Sequence, residues 1–194
     1  MPDGLTLAAM SLAAALCAWG AHRDLQLRVW QTLTAFVCVA AIAGFAGGAA
    51  FAPIGALVFA CLLIAEADRR HTLIPDVFTL AILTLAPFMP FGDGIIAQII
   101  GATALGGTFL VIRQACGAWR GVEALGWGDV KFAAAMGALL GPIYGFAAVG
   151  IAGAGTLVVL AIREGGGAAV LGAPFGIGLA SATAAMAIVR AFAP

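Results

Sequence analysis

Residues 132–162 read FAAAMGALLGPIYGFAAVGIAGAGTLVVLAI, with no charged side chain between Lys131 and Arg163. A helix needs about 20 apolar residues to cross the hydrocarbon of a bilayer, so this tract is long enough for more than one passage. Gly141-Pro142 divides it. Proline inside a helix removes a hydrogen-bond donor and clashes with the preceding turn, which fits either a break between two helices or a kink. Helices are therefore expected at residues 129–141 and 143–162. The first, of about 13 residues, rises only about 20 Å and falls short of a full crossing.

The rest of the chain has the same character. Of its 194 residues 63% are hydrophobic and 9% charged, and the mean hydropathy is +1.12. A soluble domain is about a quarter charged, so this composition cannot cover a water-facing surface. Breaks in hydrophobicity give six further helices at residues 4–21, 29–47, 50–67, 74–90, 94–113 and 168–192. The expected fold is all-α, a polytopic transmembrane bundle of about eight spans in one membrane-embedded domain, residues 1–194. Twenty-seven glycines suit helices that approach closely through small side chains. No repeat of fixed period stands out. The first apolar stretch follows Met-Pro-Asp-Gly, without the basic residues of a signal peptide, and is expected to be a retained helix.

Basic residues fix the expected orientation, because cytoplasmic loops of membrane proteins are rich in Lys and Arg. Arg23, Arg28, Arg69, Arg70, Arg113, Arg120, Lys131 and Arg163, eight of the nine Lys and Arg, fall in connections that share one face of an eight-span bundle. Only Arg190 falls on the other, with Asp3 and Asp93 as its acids. The basic face is read as cytoplasmic and both termini as outside.

Other chemistries are poorly supplied. Zero net charge leaves no basic footprint for nucleic acid. Cys17, Cys38, Cys61 and Cys116 lie far apart with no C-x-x-C pair, so neither a zinc site nor a disulfide framework is indicated; buried structural cysteine is the simplest reading. Ser11 and Ser181 lie in apolar spans, and His22 and His71 read as solvated loop residues.

Acids near a bilayer are costly, about 2.5–3.5 kcal/mol at a helix centre by insertion scales. Two stand out here. Asp68 ends the third expected span and precedes Arg69-Arg70-His71-Thr72-Leu73-Ile74-Pro75-Asp76. Asp129 opens the sixth in Gly126-Trp127-Gly128-Asp129-Val130-Lys131. The topology gives them one depth, where the chain leaves and re-enters the cytoplasmic face. Two facing carboxyls share a proton because both cannot ionise cheaply. One then acts as base on a water while the other protonates the scissile carbonyl, so peptide hydrolysis needs no metal and no cofactor. Gly126 and Gly128 are expected to let a substrate strand approach Asp129. Pro75 is expected in the first turn of the fourth span, and Asp76 beside it to complement the helix dipole. Lys131 is expected either to act on Asp129 or to mark the interface. Glu66 is turned about 200° from Asp68 on a helix and is expected to face elsewhere.

At these residues the chain resembles the type IV prepilin peptidases, the bacterial branch of the Gly-x-Gly-Asp membrane aspartyl proteases. The family carries an Asp, five residues, then Ile-Pro and an acid or amide, as in Asp68 and Ile74-Pro75-Asp76. Its second motif, Gly-x-Gly-Asp-Val-Lys, is matched by Gly126, Gly128, Asp129, Val130 and Lys131, and its Pro-Phe-Gly segment by Pro174-Phe175-Gly176. The resemblance covers residues 50–190. It implies a catalytic core at 50–194 with accessory spans at 1–49, and an aspartic endopeptidase of the bacterial inner membrane. The implied substrates are prepilins or pseudopilins, from which a short basic leader is cut on the cytoplasmic side after a glycine just ahead of the hydrophobic pilin helix, with membrane lipid and pilus or secretion components as partners. Many members carry a methyltransferase domain with paired C-x-x-C motifs after the first span; here a peptidase-only chain is expected. The alternatives are a small transporter or structural subunit using the same acids for ion or proton passage, and a presenilin-type protease acting on other membrane helices.

Overall fold

The computed structural model describes residues 4–47, 51–91, 94–120, 125–164 and 175–192. They form α1 (Gly4–Leu25), α2 (Val29–Gly47), α3 (Ala52–His71), α4 (Asp76–Leu85), α5 (Ile95–Arg120), α6 (Trp127–Glu164) and α7 (Phe175–Phe192), with a 3-10 turn at Ala86–Phe88 after α4. Asp3, Asp93, Ala173 and Pro174 lie outside the described residues.

Among the described residues α1, α5, α6 and α7 are long and apolar enough to cross a membrane, and Val29–Phe45 and Asp76–Phe88 form shorter apolar helices. α1, α3 and α5 overrun the expected ends because hydropathy marks the edge of the hydrocarbon, whereas a helix stops where its hydrogen bonding is capped; α4, expected over 74–90, is α-helical only from Asp76 to Leu85. α1 continues to Leu25, taking His22 and Arg23 into its last turn. α3 continues through Asp68 to His71 and ends at Thr72, which adopts left-handed φ 49° and donates its N–H to the Asp68 carbonyl. His71 therefore ends a helix instead of sitting in a loop, with Nε2 3.1 Å from the Asp24 carbonyl oxygen. Arg113, expected at a span's end, lies inside α5.

The expected break at Gly141 is real but tighter than a loop. Gly141 has φ 70° and ψ 173° inside an otherwise helical run, a conformation open in practice only to glycine. The two arms of α6 run in opposite directions along α5. Gly101 and Gly106 meet Gly137 and Ala134 of the first arm, whereas Gly101 and Leu105 meet Gly141 and Gly145 of the second. A methyl group on Gly101 or Gly137 would strike the other's carbonyl group, so glycine at both sets the separation of these helices. Arg190 of α7 donates to the Leu140 carbonyl at the break, 2.7 Å away. Proline at 142 has no N–H to offer the carbonyl four residues earlier, that of Ala138.

One apolar core runs through all seven helices, with Phe78, Phe132, Leu57, Ile64, Met136 and Leu179 fully buried. α1 and α2 share it through Cys17, Ala13, Phe36 and Ala40. Cys61 is also buried, whereas Cys38 is exposed and Cys116 half-buried, so the uniform burial expected of the cysteines does not hold. The outer surface is apolar as well, with Phe45 96% and Trp119 90% exposed. Such a surface is ordinary against lipid and untenable in water.

The ends of α1, α3 and α5 gather with the starts of α2, α4, α6 and α7. Arg70 and His71 bond to the carbonyls of Leu25 and Asp24, and Ile74 lies against both Gly128 and Gly176. Four exposed tryptophans, Trp19, Trp30, Trp119 and Trp127, stand near helix ends on this side. Tryptophan concentrates at the membrane–water boundary.

Candidate active site

Helix ends leave main-chain groups unsatisfied, and both aspartates exploit this. Asp68, in the last turns of α3, is 5% exposed. Its Oδ2 accepts the Ile177 N–H at 3.0 Å. This donor lies in the first turn of α7. A carboxylate there completes the hydrogen bonding of the helix start and meets the positive end of its dipole.

Asp129 is the third residue of α6 and its Oδ2 accepts the Gly126 N–H at 3.1 Å. This is the reach-back half of a capping box, in which the third side chain satisfies the donor ahead of the helix. Each carboxyl thus commits one oxygen to a helix start.

Ile74 joins the two halves. It is 5% exposed, and a methyl carbon on Gly128 would stand 3.0 Å from its Cβ and 3.0 Å from its carbonyl oxygen. On the other side, a methyl carbon on Gly176 would stand 3.1 Å from Ile74 Cδ1 and 2.8 Å from Asp68 Cγ. Glycine at 128 and 176 is what lets α6 and α7 close on the segment that follows Asp68. The space beside Gly128, expected to admit a substrate strand, is filled by Ile74. Gly126 is exposed, and its N–H serves Asp129.

Lys131 and Asp76 find each other. Lys131 Nζ is 2.7 Å from Asp76 Oδ2, with half or more of each side chain exposed. Two residues along a helix turn a side chain by about 200°, which takes Lys131 away from Asp129. Exposed pairs are worth about 0.2–1 kcal/mol, so the bridge sets the register of α4 on α6 more than it adds stability. Pro75 stands one residue ahead of α4, at φ −68°, with Asp76 as the first helical residue. Glu66 faces away as expected and pairs with Arg69 and Arg70.

Sequence reasoning missed Arg113, which is 9% exposed. Its guanidinium donates to the Leu125 carbonyl oxygen and lies 4.7 Å from the centre of the Trp127 ring. Both contacts grip the residues flanking Gly126, and so fix the main chain that holds Asp129. It also missed the Ile177 N–H group, since a main-chain donor leaves no mark in a sequence; the Pro-Phe-Gly segment was the available signal.

Comparison with protein families matches residues 55–192 to the type IV leader peptidase family. The prepilin leader peptidase/N-methyltransferase of Xanthomonas campestris pv. campestris is 31% identical over 127 residues, covering 61% of this chain and 42% of that protein. The match thus spans about two fifths of the length of this curated relative, 42%. No solved structure matches the chain.

Proposed function

This chain belongs to the type IV leader peptidase family, and on that premise we propose that it is a membrane aspartyl endopeptidase with Asp68 and Asp129 as its catalytic pair. It removes the leader peptide of prepilin or pseudopilin substrates at the cytoplasmic face of the bacterial inner membrane. The observation that supports it is that each acid is bonded to the start of a helix, Asp68 to α7 and Asp129 to α6, and that both helix starts close on the same residue, Ile74.

In the proposed reaction the pair holds one proton and a water. The ionised carboxyl takes a proton from the water as its oxygen attacks the scissile carbonyl carbon. The protonated carboxyl gives its proton to the carbonyl oxygen, producing a tetrahedral diol. Collapse of the diol breaks the C–N bond, the proton held by the base passes to the amine, and the diol's proton returns to its partner. Main-chain N–H groups keep both side chains oriented throughout, so little reorganisation accompanies the charge movement.

Counting α6 as two arms gives eight crossings, with the N- and C-terminal ends outside and the catalytic rim inside. Basic residues and tryptophans concentrated at that rim support this sidedness. Residues 50–194 carry the chemistry and residues 1–49 support it. Gly126, Gly128, Pro75, Asp76 and Lys131 hold the pair's surroundings in register. The test is cleavage of a prepilin by detergent-purified protein. Asp68→Asn and Asp129→Asn should each still bind the substrate and lose about 10²–10⁴-fold in turnover, the worth of a general acid or base. Parental turnover in either variant removes that residue from the mechanism.

A further inference from the structure

The first turn of α7 has two duties. Its main chain holds Asp68, while Ile177 in the same turn lines an apolar groove of about 510 Å³ between the second arm of α6 and α7. From Ile177 to Ala185, both on its wall, α7 rises about 12 Å, so the groove starts beside the aspartates and descends into the apolar depth of the bundle. Ala152, Gly155, Gly178 and Ser181 line it, the kind of small-residue surface on which helices approach closely in membranes. The Thr156 hydroxyl bonds back to the Ala152 carbonyl at 2.8 Å, so it asks nothing of an apolar occupant. Two other apolar grooves exist among the described residues. One, of about 580 Å³, lies between α1 and α2, and one of about 290 Å³ among α2, α3 and α7. Neither is lined by a residue that bonds to Asp68 or Asp129.

We propose that the groove between α6 and α7 seats the apolar helix of the substrate, the segment directly following the bond to be cut. The proposal rests on the peptidase reading and locates its substrate. A helix lying along Ile151, Gly155 and Ser181 brings its end level with Ile177, and therefore with the carboxyl that Ile177 holds. The basic leader ahead of the bond then emerges at the rim where water is available.

The test uses the full chain in phosphatidylethanolamine–phosphatidylglycerol vesicles with two synthetic probes. The long probe has a basic leader, a glycine junction and about 20 apolar residues; the short probe stops a few residues past the junction. Ser181→Trp and Gly155→Leu fill the groove. The ratio of kcat/KM for the long probe to that for the short probe should fall about tenfold or more, as expected when a pocket loses its complement. An unchanged ratio, whether both rates persist or both collapse, overturns the proposal. A second readout does not depend on turnover. In an Asp129→Asn background, Ser181→Cys should form an oxidative cross-link to a cysteine in the first two turns of the long probe's apolar segment. The same background with its native cysteines alone should not. No cross-link at Ser181→Cys means that lipid occupies the groove and the proposal fails. If the wild type cuts neither probe yet the cross-link forms, the peptidase reading falls while the groove survives as a helix site.

Discussion

Gly176→Ala offers the sharpest test of how Asp68 is held, because two simple expectations oppose each other. By helix propensity, alanine in place of glycine stabilises a helix by up to about 1 kcal/mol. By contact, the added carbon would lie 2.8 Å from Asp68 Cγ, 2.9 Å from its Oδ2 and 3.1 Å from Ile74 Cδ1. Non-bonded carbons settle at about 3.5–4.0 Å, so the carboxyl must retreat by roughly 0.7 Å. Ile74 cannot absorb the shift, since its other side is closed by Gly128. The Ile177 N–H bond to Oδ2, now 3.0 Å, would stretch beyond the usual range of about 2.7–3.2 Å. Misplacing a reacting group by about 1 Å costs about 10²-fold, so kcat should fall about ten- to a hundredfold with KM little changed. Prepilin cleavage read on gels gives the rates, and size-exclusion chromatography with near-ultraviolet circular dichroism shows whether the bundle is intact. A folded Gly176→Ala enzyme turning over at the parental rate would refute the claim that α7 positions Asp68.

Three further outcomes follow from the same geometry. Asp76→Ala and Lys131→Ala should each reduce stability by no more than about 1 kcal/mol, since the pair is exposed. A double-mutant cycle on thermal melting should give a coupling of about 0.2–1 kcal/mol, and zero coupling would remove the bridge's role in holding register. Arg113→Ala frees the main chain around Gly126 and should lower kcat about tenfold; Arg113→Lys should not restore it, because lysine cannot reproduce a planar group stacked on Trp127. Gly137→Val should prevent folding outright, with no folded fraction recovered from membranes, because the carbonyl of Gly101 occupies the space.

Membrane insertion is a long-range average, and this explains which parts of the molecule were legible. Charge-free tracts marked α1 to α5 to within a turn or two, and Gly141-Pro142 marked the reversal in α6, because proline and glycine act locally; residues 168–174 of the last expected helix lie outside the described residues. The ends of α1, α3 and α5 were harder. Arg23, Asp68 and Arg69 end an apolar run without ending a helix, and only a cap such as left-handed Thr72 does that. Asp68 and Asp129 were legible because acids are scarce in such a chain. What unites them was not. The donor to Asp68 is 109 residues away in sequence, and Ile74 reads as one more apolar residue until its two glycine neighbours are seen. Lys131 could be read from sequence either as acting on Asp129 or as marking the interface, and helix geometry pairs it with Asp76.

The placement of the aspartates follows from a conflict between chemistry and solvent. Hydrolysis needs water, and the hydrocarbon excludes both water and unsatisfied main-chain groups, since each unpaired group there costs several kilocalories per mole. The one depth at which helices must expose free N–H groups is where they begin, and there the boundary supplies water. A carboxyl at that level does two jobs with its two oxygens. One oxygen closes the hydrogen bonding of a helix start, as Oδ2 of Asp68 does for α7 and Oδ2 of Asp129 for α6. On the proposed mechanism the other is left for the reaction. Glycine at 128 and 176 is then the condition for two such helix starts to crowd round a single isoleucine. Enlarging Gly128 presses on Ile74 alone, whereas enlarging Gly176 presses on Ile74 and on the Asp68 carboxyl together.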